Sequence, residues 1–165
     1  NIMQKIVPNL WFAGNASEAV DFYLSVFKDS KNISTTYYPE EGLADFQKSF
    51  AGKVLTVEFE LNGQRFVAIN AGNEFKFNEA VSFAIMCKDQ EEIDYYWDKL
   101  SNDPTAEQCG WLKDQYGVSW QIWPTLLGEM MSQGTPEQVD RVTQGVLQMK
   151  KYDIAKLNKA FSVEW

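Results

Sequence analysis

Apolar positions fill Lys5 to Phe12 around Pro8, which predicts a strand held toward a sheet edge or a bulge, because proline cannot donate to a ladder. Gly14-Asn15 breaks the run. From Ser17, placed to cap a helix, Val20, Tyr23, Leu24 and Phe27 recur at helical spacing, and Glu18 and Asp21 occupy the first turn, where the dipole favours acids. That helix should end near Lys28-Asp29-Ser30. Ile33 to Tyr38 reads as a weaker strand, followed by a polar loop through Pro39, Gly42 and Gly52. Val54 to Leu61 alternates, with Val57, Phe59 and Leu61 on one face and Thr56, Glu58 and Glu60 on the other. Asn62-Gly63 is a hairpin signal, since a type I′ turn needs positive φ at both central residues, and Gln64 to Asn70 is the return strand. Ala80 to Cys87 is apolar almost throughout and predicts a strand buried on both faces; Gln90 to Leu100 is a helix with Ile93, Tyr96, Trp97 and Leu100 inward.

The order then repeats. Glu18-Ala19-Val20-Asp21-Phe22-Tyr23 aligns with Glu91-Glu92-Ile93-Asp94-Tyr95-Tyr96 at an offset of 73 residues, and the same offset lays Leu10 to Phe12 on Phe83 to Ile85. A second hairpin, Trp111 to Lys113 and Val118 to Trp123, turns at Asp114-Gln115-Tyr116-Gly117. Gly117 lies 54 residues after Gly63, so the second copy is 19 residues shorter, a deficit that matches the Pro39 to Gly52 region. The expected fold is α+β: two tandem βαβββ modules, about 4–73 and 78–124, paired within 1–124 into one curved mixed sheet with outer helices. Residues 125–165 form a helical C-terminal extension of the same domain. In it Thr135, Pro136 and Gln138 make a capping box ahead of a Val139, Val142, Val146, Met149 stripe, and Asp153 caps a last helix carrying Ile154, Leu157 and Phe161. Such a stripe must be buried, and the open sheet face, the outer helices or a second subunit are its candidate covers.

Composition narrows the chemistry. Of 165 residues, 45% are apolar, and 15 Lys+Arg stand against 23 Asp+Glu for a formal net charge of −8. An acidic chain without a basic tract lacks the electrostatic footprint for nucleic acid or an anionic membrane, so neither is an expected partner. No apolar run approaches the roughly 20 residues of a spanning helix. There is no histidine, which removes the commonest general base, the Ser/His and Cys/His nucleophile pairs and the commonest transition-metal ligand. Catalysis would have to rest on carboxylates, Lys, Tyr, Cys or water. Cys87 and Cys109 are too few for a disulfide framework, so a reduced cytoplasmic setting is expected. The chain begins Asn1-Ile2-Met3, and Met3 is expected to be the natural start.

The segment from Leu10-Trp11-Phe12-Ala13-Gly14-Asn15 to Phe22-Tyr23, and Cys109-Gly110-Trp111-Leu112-Lys113-Asp114-Gln115-Tyr116-Gly117-Val118-Ser119-Trp120-Gln121, resemble the vicinal oxygen chelate superfamily of glyoxalase I, bleomycin resistance proteins and extradiol dioxygenases. Within it the chain looks most like the PhnB-like, demethylubiquinone methyltransferase-like group, from about Gln4 to Phe161. The resemblance implies a homodimer. It also implies a metal site of His and carboxylate on the first and last strand of each module, but the corresponding positions here are Pro8, Ala68 or Asn70, Ser82 and Gln121. None is His, Asp or Glu, so no metal is expected. Nor is S-adenosylmethionine, because Phe12-Ala13-Gly14-Asn15 is not the glycine-rich turn that cofactor needs; no cofactor at all is expected.

The candidate ligand-binding residues are Asn70, Gln121, Ser119, Trp123, Cys109 and Trp111. Asn70 and Gln121 end inner strands at equivalent places and could face each other across a cavity, donating to a ligand in place of metal ligands; the alternative is that each satisfies nearby backbone. Ser119 and Trp123 share the face of Gln121 by strand alternation, with Trp123 as apolar wall, stacking platform or plain core. Cys109 precedes Trp111 on a strand and is either a reactive thiol or a small buried hydrophobe. Asp114 is better read as turn chemistry than as an acid, and the neighbouring Glu58 and Glu60 as a solvated face. No catalytic residue is singled out. Two functions follow: metal-free binding of a small aromatic or amphipathic metabolite in a sheet-lined cavity, or an enzyme of lyase, isomerase or transferase type acting on a small metabolite.

Overall fold

The computed structural model describes residues 4–162, so the expected start at Met3 lies outside the described residues. The chain divides into two compact units, the second beginning at Phe77.

The first unit contains β1 (Asn9–Phe12), α1 (Ala16–Val26), β2 (Ser30–Tyr37), a 3-10 turn at Asp45–Phe50, β3 (Val54–Leu61) and β4 (Gln64–Asn70). Its four strands lie in the order β1-β4-β3-β2, with β1 parallel to β4 and the other pairs antiparallel. Pro8 stands just before edge strand β1, as its missing N–H requires, while its carbonyl still accepts from Val67 N. Asn62 (φ 49°) and Gly63 (φ 82°) make the β3–β4 turn. Alternation then builds the core: Leu10, Phe12, Phe66, Ala68, Val57, Phe59 and Leu61 are buried on the face that meets Val20 and Tyr23 of α1. Tyr23, Phe59 and Phe66 stack in sequence, with ring centroids 6.3 and 5.4 Å apart. Burying one such ring contributes roughly 1.5–3 kcal/mol.

Helix α1 departs from the sequence reading at its start. It begins at Ala16, one residue before Ser17, and no side chain of its own segment caps it. Instead Asn70 Oδ1 accepts from Ala16 N at 3.2 Å, so the cap arrives from β4, 54 residues away.

The second unit contains β5 (Ser82–Cys87), α2 (Gln90–Leu100), β6 (Trp111–Lys113), β7 (Ser119–Pro124), α3 (Thr125–Gln133), α4 (Pro136–Leu147) and α5 (Ile154–Ser162). Its sheet has three strands in the order β5-β7-β6. The mixed α+β architecture with outside helices and a helical C-terminal part is as expected, but the strands hydrogen-bond as separate sheets of four and three. The strand expected after α2 is replaced by a polar loop, with a 3-10 turn at Pro104–Ala106 that Asp103 caps and a lone bridge between Gln108 and Trp111. Asp89 caps α2 through Glu92 N.

β5 corrects a second expectation. It is buried on one face only: Ile85 and Cys87 pack inward with Trp120 and Ile122, whereas Met86 is 52% exposed. The apolar run hid an ordinary alternation, because Ala84 and Met86 occupy positions where polar residues would have signalled the open side.

The C-terminal helices close on this unit. Thr135 and Gln138 form the expected capping box. Arg141 Nε donates to Ala160 O at 2.8 Å and Gln138 Nε2 to Phe161 O at 3.2 Å, so α4 satisfies the end carbonyls of α5. Val142 and Leu157 are fully buried between the helices. Gln90 binds both sides of the α5 start, donating to Tyr152 O and accepting from Ile154 N. Val142 and Leu157 are therefore covered within their own unit, whereas Val139, Val146 and Met149 stay half-buried.

Candidate functional site

Where β1 and β4 end and β3 begins, the first unit forms an open-mouthed cavity of about 670 Å³. Trp11 and Ile69 are register partners, so both project from the sheet face away from α1 and floor the cavity. The far wall comes from the Pro39–Phe50 segment, which carries Phe46 and Phe50, and Phe75 follows β4 on the other side. Trp11 and Phe75 meet edge to face at 4.9 Å, and Tyr38 stacks on Phe50 at 5.2 Å. The polar ends of two of these rings are already engaged: Trp11 Nε1 donates to Gly72 O at 2.8 Å and Tyr38 Oη to Asn70 O at 2.7 Å. A ligand in this cavity would thus meet ring faces rather than ring donors. Phe46 and Phe75 are 77% and 62% exposed, an unusual cost for aromatic side chains unless something covers them. The sequence reading missed this site. Its one trace in the sequence is the apolar content of the 39–52 region, Leu43, Phe46 and Phe50, inside what reads as a polar loop.

The proposed residues fall in three places. Ser119, Gln121, Trp123 and Trp111 share the face of the second sheet that points away from α2. There Trp123 Nε1 donates to Gln121 Oε1 at 2.8 Å, and Gln121 Nε2 donates to Ser82 Oγ at 2.9 Å. Among the described residues the Ser119 hydroxyl is buried without a hydrogen-bond partner. Asn70 is elsewhere. It pairs with Phe12 and shares the α1 face, where Oδ1 caps α1 and Nδ2 donates to Val54 O. Under the 73-residue offset the partner of Phe12 corresponds to the partner of Ile85, which is Ile122, while Gln121 corresponds to Ile69. Asn70 and Gln121 are therefore one residue out of register with each other, which turns their side chains to opposite faces of their sheets.

Cys109 is the third. It does not lie on a strand but in the turn before β6, at φ 50°, with its N–H donating to Met149 O and its carbonyl accepting from Tyr152 Oη at 2.7 Å. Burial, then the nearby Cys109, pushes the Tyr152 phenol up to about 12. Cys87 is fully buried, and that burial, followed by the charges of Glu92 and Asp89, raises its thiol to about 12. Asp114 organises the second hairpin, its carboxylate accepting from Tyr116 N, Val118 N and Trp120 Nε1. Glu58 and Glu60 pair with Arg65 and Lys31.

The four positions at which the superfamily holds metal do not fit one here. Pro8, Ala68 and Ile69, the register counterpart of Gln121, have no side-chain donor, Asn70 is committed to α1, and Ser82 and Gln121 bond each other through neutral groups that bind transition ions poorly. Among the described residues no group of three or more His, Cys, Asp or Glu side chains is placed to hold a metal, and no helix is long and apolar enough to cross a membrane.

The family described as 3-demethylubiquinone-9 3-methyltransferase matches residues 4–123. The PhnB protein of Bacillus cereus is 36% identical, with a TM-score of 0.59 over 74% of this chain and 100% of its own. A Pseudomonas aeruginosa protein (18% identity, TM-score 0.57, 74% and 98% covered) and the fosfomycin resistance protein FosX of Listeria monocytogenes in complex with Mn(II) (16%, 0.50, 74% and 93%) share the fold. No curated protein is significantly similar in sequence.

Proposed function

Because this chain belongs to the PhnB-like, 3-demethylubiquinone-9 3-methyltransferase family of the vicinal oxygen chelate superfamily, we propose that it binds a small aromatic or amphipathic metabolite without a metal. The observation that carries this reading is the aromatic cavity of the first unit, whose volume of about 670 Å³ lies in the range of small-molecule sites. The face of the second sheet that points away from α2, with Gln121, Trp111 and Trp123 half-buried and Ser119 buried on it, is the secondary polar and aromatic surface of the same proposal; Asn70 and Cys109 leave it for structural roles. The proposal includes a homodimer, supported by the exposed Val81 and Met86 at β5. The test is a thermal-shift screen of small aromatic metabolites with and without chelator, followed by calorimetry on the hits. Binding should persist in chelator and weaken in Phe46→Ala, a change that leaves the core intact because the ring is largely exposed. Binding that requires an added divalent ion, or near-stoichiometric metal in protein purified without affinity metal, would overturn it.

A further inference from the structure

We infer that the cavity of the first unit selects ligands bearing an organic cation, an amine or quaternary ammonium attached to a flat apolar body. This rests on the binding reading above and adds the charge of the ligand to it. Three observations converge. The indole N–H and phenol O–H are engaged and give nothing to an anion, while the exposed Phe46 and Phe75 rings offer faces that attract cations. Among the residues lining the cavity, Glu74 carries the charge, and no Lys or Arg lines it. The Glu74 carboxylate folds back against Gly72, occupying the space a Cβ there would fill, which sets it beside the carbonyl that receives the Trp11 indole. Glycine at 72 thus lets the carboxylate and the Trp11 ring share one end of the cavity. A neutral aromatic would gain only apolar contact. An aromatic carboxylate would oppose Glu74 and find no donor on Trp11 or Tyr38.

Calorimetry with three matched probes tests the inference: naphthylmethyl-trimethylammonium, its uncharged neopentyl isostere and naphthylacetate. Wild-type protein should bind the cation roughly five- to thirty-fold more tightly than the isostere, with the acetate weakest. Glu74→Gln, an exposed position where folding is not at stake, should compress that preference to about two- or three-fold, the share expected of exposed ring faces alone. Phe46→Ala should weaken every probe that binds. If the isostere binds as tightly as the cation, the inference fails while the cavity reading stands. A preference that survives Glu74→Gln at full size also overturns it, by assigning the effect to the acidic chain as a whole. If no probe binds, the cavity reading falls and the inference with it.

Discussion

Replacing Asp114 by Asn should destabilise the second unit by about 2–4 kcal/mol, although the exchange is nearly isosteric. Asp114 is 3% exposed, and its Oδ2 accepts from Trp120 Nε1 at 2.9 Å while Oδ1 holds Tyr116 N and Val118 N at 2.8 and 3.0 Å. In the variant the amide oxygen must stay on the two backbone donors, so the new NH₂ faces the indole N–H. One charge-assisted bond worth roughly 1.5–3 kcal/mol is lost, and a buried donor is left unpaired at a cost of about 1–3 kcal/mol, some of it the same energy counted from the other partner. Trp120→Phe removes the opposing donor. The double-mutant cycle by urea denaturation should therefore return a coupling of about 1.5–3 kcal/mol, larger than neighbours without a shared bond would show. If the coupling stays below about 0.5 kcal/mol, the carboxylate is not holding the indole and the turn owes its shape to backbone alone.

Asn70→Ala should cost about 1–3 kcal/mol in denaturation experiments, because it uncaps α1 and strands Val54 O, and it should leave ligand affinity within about twofold, since the side chain lies on the helix face. The folded pKa values of Cys87 and Tyr152, both near 12, stand above the ordinary values of 9.0 and 10.0, so the folded state holds these protons more tightly. The stability they contribute is complete below about pH 9 and is lost as pH rises toward 12; the urea midpoint should fall across that window, and less steeply in Cys87→Ala, whereas an unchanged slope would refute the assignment. Gly110→Ala should cost more than the roughly 1–2 kcal/mol of a left-handed alanine, since φ there is 82° and the new methyl would strike the Tyr152 ring. In a Tyr152→Ala background only the backbone part should remain, and equal costs in both backgrounds would show that the ring is not the obstacle.

The strands and helices were legible because their signals are local. Alternation in Val54–Leu61, the Asn62-Gly63 turn and the Thr135/Gln138 box each depend on residues within a few positions of one another, and each occurs as read. What escaped depends on residues distant in sequence. The α1 cap comes from Asn70, which no local pattern could assign to Ala16. That Ile69 and not Asn70 is the counterpart of Gln121 follows from a register that strand pairing fixes and sequence spacing does not. The cavity escaped because Leu43, Phe46 and Phe50 have neither strand nor long-helix spacing; they become a wall only when the Asp45–Phe50 turn is set beside Trp11 and Ile69.

The two copies keep the same helix-facing logic but extend it with different segments. The first copy carries the longer loop from Pro39 to Gly52, whose aromatic residues wall a cavity at the ends of β1 and β4. The second lacks that length, and β7, the counterpart of β4, leads directly into helices α3 to α5. Their connector returns to the sheet, with Cys109 N and Gly110 N donating to Met149 O and Lys150 O, and the Tyr152 ring meeting Trp123 at 5.8 Å. The extension therefore covers one end of the second module with backbone hydrogen bonds and a buried phenol, groups that fix structure and leave little for a ligand. The two units present similar strand–helix platforms. The segments added to them differ, walling an aromatic cavity in the first and bonding back to the turn before β6 in the second, so under the proposed binding reading the residues that set ligand chemistry are those of the loop and of the β4 exit rather than those of the shared core.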